Sequence, residues 1–202
     1  VAFVKKHSFK IAVLALCAVM GIYLFMTNVM KPNEPLPVLQ AAPDFEMLNV
    51  ANNEQVSLAS TNGKARIVYF YFANCPDVCP PTTYLLSEVQ DQLKKDGKLG
   101  TKAELISITF DPERDTPEAI KAFAERTFAD FEGWSFLRGE EEETIELARA
   151  FNIGVKKLED GSFIHSNVIT LVDKNGQVRQ WINGNDEQLT ADQIVKELNK
   201  LL

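Results

Sequence analysis

Ile67–Phe72 (IVYFYF) is an unbroken β-branched and aromatic run, a pattern that suits a strand buried on both faces. The next segment limits the architecture further. Cys75-Pro76-Asp77-Val78-Cys79-Pro80-Pro81 comes almost at once, and Leu85, Leu86, Val89 and Leu93 then recur at helical spacing up to Gly97. Proline is tolerated only in a helix's first turn, so this helix starts close to the cysteines. A buried strand feeding a helix through a cysteine pair implies an open α/β sheet, in which ligands bind beyond the carboxyl ends of the strands.

The remaining elements extend that pattern. Asp44 to Leu58 reads as a hairpin turning at Asn52-Asn53. Glu104–Phe110 is a second buried strand, and Asp115-Thr116-Pro117-Glu118 starts a helix with a capping side chain, a proline and an acid in order. Trp134–Leu137 is a short strand, and Glu140–Phe151 is a helix whose acidic first turn complements its dipole. Ser166–Val172 and Val178–Ile182 are strands joined through Lys174-Asn175-Gly176, and Thr190 with Gln193 forms a capping box for the last helix. The order predicts a thioredoxin-like α/β fold: a mostly parallel central sheet flanked by helices, with an N-terminal β-hairpin.

Ahead of this domain, Ile11–Met30 is apolar but for Thr27 and Asn28. About 20 helical residues cover the ~30 Å hydrocarbon core, so an uncleaved transmembrane anchor is expected. Lys5, Lys6 and Lys10 precede it, which predicts a cytoplasmic N-terminus and an extracytoplasmic domain. No Arg- and Ser-rich transit segment is seen, so a single pass through a bacterial plasma membrane is expected. The expected organisation is an anchor at 1–30, an extended proline-rich linker at 31–42 and the domain at 43–202. The net charge is -7, and the three N-terminal lysines leave the rest of the chain at -10. Nucleic acid is therefore excluded as a partner, because phosphate neutralisation needs clustered Lys and Arg.

The chain has three cysteines and two histidines, of which the domain holds Cys75, Cys79 and His165. On a regular helix, positions i and i+4 place Cβ atoms ~5–6 Å apart, whereas a disulfide needs ~3.5–4.5 Å. That spacing favours two cooperating ligands over a bridge, while thiol–disulfide chemistry and a structural disulfide remain open. His165 is expected at the entry of a late strand facing the cysteines, where typical thioredoxins place a cis-proline; no proline occurs after Pro117. Two thiolates and an imidazole suit copper first, with zinc as the alternative. Asp111 is a candidate to support the ligands from behind, or simply a turn residue. A peroxiredoxin would carry threonine three positions before the nucleophile, where this chain has Phe72.

At Cys75–Thr82, Asp111–Pro117, and His165-Ser166 before Ile169–Asp173, the chain resembles the Sco (SenC) family of copper-binding proteins. The resemblance spans roughly residues 41–202. It implies copper ligands at Cys75, Cys79 and His165, an assisting acid at Asp111, and a role in assembling the copper centre of cytochrome c oxidase subunit II. The role is either copper delivery or reduction of the target cysteines, with Cys75 and Cys79 as the redox pair. A separate copper donor or thiol reductant would be a further partner. Many relatives carry an acid directly before the histidine, where this chain has Ile164.

Overall fold

The computed structural model describes residues 2–29 and 35–202. Helix α1 (Ala2–Val29) contains an 18-residue stretch, Phe9–Met26, with a mean hydropathy of 2.2, long and apolar enough to cross a membrane. It forms a unit of its own, separate from a second compact unit at Leu36–Leu202. Most of the expected linker's first half, 31–34, lies outside the described residues. Its second half is part of the domain: β1 (Gln40–Ala41) joins the sheet, and the Leu36 and Pro37 carbonyls accept from Arg179.

The hairpin is β2 (Glu46–Asn49) and β3 (Gln55–Ser57), with Asn53 at φ 59° in its turn. Next come β4 (Ala65–Tyr71), α2 (Cys79–Lys95), β5 (Ala103–Thr109) and α3 (Pro117–Arg126). After them are β6 (Trp134–Arg138), α4 (Glu141–Ala150), β7 (Val155–Lys157) and β8 (Phe163–His165). The chain closes with β9 (Val168–Val172), β10 (Gln177–Asn183) and α5 (Ala191–Asn199). Every residue of β4 is buried, as the apolar run requires. Its alternating side chains reach opposite layers. Tyr71 stacks on Phe123 of α3, while Phe70 packs on Phe151 at the end of α4. The Thr190–Gln193 capping box is present, and α5 packs against α2.

The layout is thioredoxin-like, but the sheet is mixed rather than mostly parallel. Its order is β1-β10-β9-β4-β5-β6-β2-β3, and only the β4–β5 and β5–β6 pairs are parallel. The cause lies between α4 and β9. There β7 and β8 form a separate antiparallel pair, an element too short to show periodicity in the sequence. After it the chain re-enters the sheet at the end where β4 leaves, so β9 runs against β4, with Tyr69 opposite Ile169. The expected strand at Ser166 therefore begins at Val168, and His165 instead ends β8. This reversal delivers His165 to the carboxyl end of β4; a parallel β9 would start at the opposite edge.

Candidate metal centre

Cys75 lies in the turn that leaves β4, its N–H donating to the Phe72 carbonyl at 3.2 Å. It precedes α2, so the two cysteines are not paired on a regular helix; Pro76 falls inside this turn, and helix begins only at Cys79. The spacing works by another route. Of the first three helical residues, Cys79, Pro80 and Pro81, only Cys79 has an N–H, and no side-chain oxygen caps the helix. That N–H donates to Cys75 Sγ at 3.4 Å. Cys75 thus caps α2 with sulfur, at the positive end of the helix dipole.

Cys79 is fully buried and Cys75 is 7% exposed. Both are free thiols. His165 Nε2 lies 3.5 Å from Cys79 Sγ, and the Nδ1 lies 3.1 Å from the Ser166 carbonyl oxygen. A carbonyl can only accept, so Nδ1 donates to it and Nε2 is the ring nitrogen turned toward the sulfurs. The imidazole is held edge-on to Phe72 (5.8 Å between centroids) and against Phe110 (5.1 Å), with Phe163 on Phe110 behind it. One ligand atom from each of Cys75, Cys79 and His165 falls within 4.8 Å of the others. Two sulfurs and an imidazole nitrogen on an apolar wall fit a soft or borderline metal ion.

The thiols are electrostatically unequal. A hydrogen bond from the Cys79 thiol is the main cause that pulls the Cys75 pKa down to about 4, with His165 and the Asp77 and Cys79 amides adding to it against burial. Cys79 is pushed far up, first by that same pairing and then by burial. The thiolate of the pair therefore resides on Cys75. Iodoacetamide at pH 6 is expected to label Cys75 and spare Cys79, read by peptide mass spectrometry; equal labelling of both would contradict this division.

Asp111 is buried, and among the described residues it makes no hydrogen bond to the three ligands. Its carboxylate pairs with Arg114 Nε at 2.5 Å, and Arg114 Nη2 donates to the Gly161 carbonyl at 2.7 Å. Arg114 also lies over the Phe163 ring. Asp111 thereby braces the β7–β8 hairpin that carries His165. Asp77, between the cysteines, is exposed. The helix cap at α3 is Thr116, whose side chain accepts from Ala119 N–H. Asp115 has a different role, with no counterpart among the expectations from sequence. It is fully buried, accepts the Ala73 N–H at 2.8 Å and the Thr109 hydroxyl at 2.5 Å, and so anchors the start of the cysteine turn. Arg126 holds the same residue by donating to the Ala73 carbonyl. The Asp-Thr-Pro motif signals a cap and hides the neighbour's inward turn.

A profile of the SCO1/SenC family matches residues 34–202. The chain belongs to the SCO1/SenC family. The SCO1 protein homolog of Bacillus subtilis is 33% identical over 150 residues, covering 73% of this chain and 76% of that protein. Similar solved structures include BsSco, described as a member of the Sco family of cytochrome c oxidase assembly proteins with a disulfide switch. It has a TM-score of 0.71 and 31% identity, covering 83% of this chain and 98% of that one. Bradyrhizobium japonicum ScoI with copper bound has a TM-score of 0.67 and 28% identity, covering 80% and 99%. The match begins close to the Leu36 start of the compact unit and includes Cys75, Cys79 and His165.

Proposed function

We propose that this protein is a membrane-anchored copper metallochaperone that holds copper through Cys75, Cys79 and His165 and supplies it to the copper centre of cytochrome c oxidase subunit II. The observation that carries this reading is the convergence of two sulfurs and a correctly oriented Nε2 within 4.8 Å, drawn from two distant chain segments. Copper-bound ScoI supports copper over zinc as the ion. Cu(I), the softer ion, prefers the two thiolates, and Cu(II) adds the imidazole and an oxygen ligand. Binding requires both thiols to lose their protons. Asp111 assists indirectly, through Arg114 and the hairpin. Helix α1 anchors the chain in a bacterial plasma membrane, with the domain on the extracytoplasmic side.

A second reading has its own support in the low pKa of Cys75. As a thiolate, Cys75 attacks one sulfur of a target disulfide and the S–S bond breaks, the leaving thiolate taking up a proton. Cys79, deprotonated in turn, attacks Cys75 Sγ, releasing the second target thiol and leaving a Cys75–Cys79 disulfide. The target gains two electrons and this protein loses them.

The two readings separate in one experiment. Copper-loaded, reduced protein is mixed with the metal-free, reduced copper domain of subunit II, and metal-free reduced protein is mixed with the disulfide form of that domain. Transfer of copper within minutes in the first mixture, followed by the target's absorption band, is the expected result. Loss of the target disulfide in the second mixture, with no transfer in the first, would replace the chaperone by the oxidoreductase.

A further inference from the structure

Asn167 is 4% exposed and sits in the connector between β8 and β9, two residues after His165. Its side chain is fully engaged. Nδ2 donates to Thr82 Oγ1 at 3.0 Å and to Asn185 Oδ1 at 2.9 Å, and Oδ1 accepts from the Tyr69 hydroxyl at 3.0 Å. Thr82 lies in the first turn of α2, three residues after Cys79. Tyr69 is fully buried in β4. Asn185 comes just after β10, and its neighbour Gly184 donates its N–H to the Asn167 carbonyl at 2.9 Å.

One amide therefore joins the segment carrying the imidazole to the helix carrying Cys79, to the strand beneath it and to the loop behind. Gly184 makes this arrangement sterically exclusive. A Cβ placed there would come within 2.8 Å of three atoms of the Asn167 side chain, closer than real Cβ contacts allow. The residue at 184 thus decides whether Asn167 can occupy its position.

We infer that Asn167, seated by Gly184, is a positioning residue that sets the separation of His165 from the cysteine pair, and thereby decides whether a bound Cu(II) keeps its imidazole ligand. This rests on the copper-binding reading. The two thiolates do not depend on the bridge, because Cys75 and Cys79 are placed by the turn after β4 and by the N–H of Cys79. The bridge therefore governs Cu(II), which uses the imidazole, and leaves Cu(I) on the thiolates nearly untouched.

The test uses the full chain in detergent: parent, Asn167→Ala, Gly184→Ala, Thr82→Val and His165→Ala. Each is loaded with Cu(II) and examined by electron paramagnetic resonance for nitrogen hyperfine coupling, and titrated separately with Cu(I) against a colorimetric chelator. Removing an outer partner of a metal ligand costs about 10- to 100-fold in affinity, so Asn167→Ala and Gly184→Ala are expected to lose about that much for Cu(II). Their spectra should move toward that of His165→Ala, while Cu(I) affinity changes by less than about threefold, well under the cost of a lost ligand. Thr82→Val, which removes one of the four ties, should fall between. Should Asn167→Ala fail to fold, Gly184→Ala and Thr82→Val carry the test. A lowered melting temperature with parental spectra and affinities would make Asn167 a structural residue only and overturn the inference. Failure of the parent itself to bind Cu(II) through nitrogen would overturn the copper reading instead.

Discussion

Cys75→Ser is expected to weaken Cu(I) binding by two to three orders of magnitude while leaving the fold intact. Structural zinc sites of four ligands are worth ~10–16 kcal/mol, or roughly 2.5–4 kcal/mol per ligand, and each ~1.4 kcal/mol is a factor of ten. Serine keeps an acceptor for the Cys79 N–H, the one free donor among the first three helical residues of α2, so the helix stays capped. The hydroxyl does not ionise near neutral pH and is a poor ligand for a soft ion. Competition against a Cu(I) chelator reads the affinity, and thermal denaturation of the metal-free protein reads the fold. Parental affinity in this variant would remove Cys75 from the site. A collapse of stability without metal would show that the sulfur acts chiefly as a cap.

The second large effect belongs to Asp115. Burial is the main cause that raises its pKa from 3.8 to about 6, against the hydrogen bonds from Thr109 and the Ala73 amide, which favour the anion. Between those two values the folded protein holds a proton that the unfolded chain has released. That contribution is fully present below the unfolded value and is lost as pH rises through about 6. The integrated change between pH 4 and pH 7 is about 2 kcal/mol. Asp115→Asn cannot titrate, and its oxygen still accepts the Ala73 N–H. Relative to the parent, this variant is expected to gain about 2 kcal/mol of stability on going from pH 4 to pH 7, measured by urea denaturation at both. Taking the difference between parent and variant cancels the opposite-signed contribution of Cys75, whose depressed pKa favours the folded state as pH rises. A difference that stays constant with pH would show that Asp115 titrates normally.

Much of this is legible in the sequence because it rests on local signals. The IVYFYF run marks β4, paired prolines mark the start of α2, and Thr190 with Gln193 marks α5. Cys75, Cys79 and His165 stand out through scarcity and through their placement beyond the strand ends. The hidden features depend on long-range pairing. The direction of β9 is set by the short β7–β8 hairpin, which leaves too few residues for any period to show. The geometry of the cysteines comes from a turn rather than from helical spacing, so the spacing points to the ligand pair for an incomplete reason. Asp115 and Asn167 give no signal of their inward roles. Each is a common turn or cap residue, and only the fold turns it inward to a backbone amide or a hydroxyl.

The partner strands of β4 have a consequence for the order of events as the chain is made. Synthesis delivers β4, the cysteine turn, α2 and β5 first, and the parallel β4–β5 pair can form early. The other side of β4 waits for β9, so Tyr69 has no strand neighbour on that side until Ile169 has emerged. Pairings of such long sequence separation form late. Until then the nascent protein presents two thiols without their imidazole, on a strand with one edge unpaired. On the copper-binding reading proposed above, occupancy of the complete three-ligand site is therefore a report on maturation: only a chain that has closed its sheet would hold the metal with all three donors.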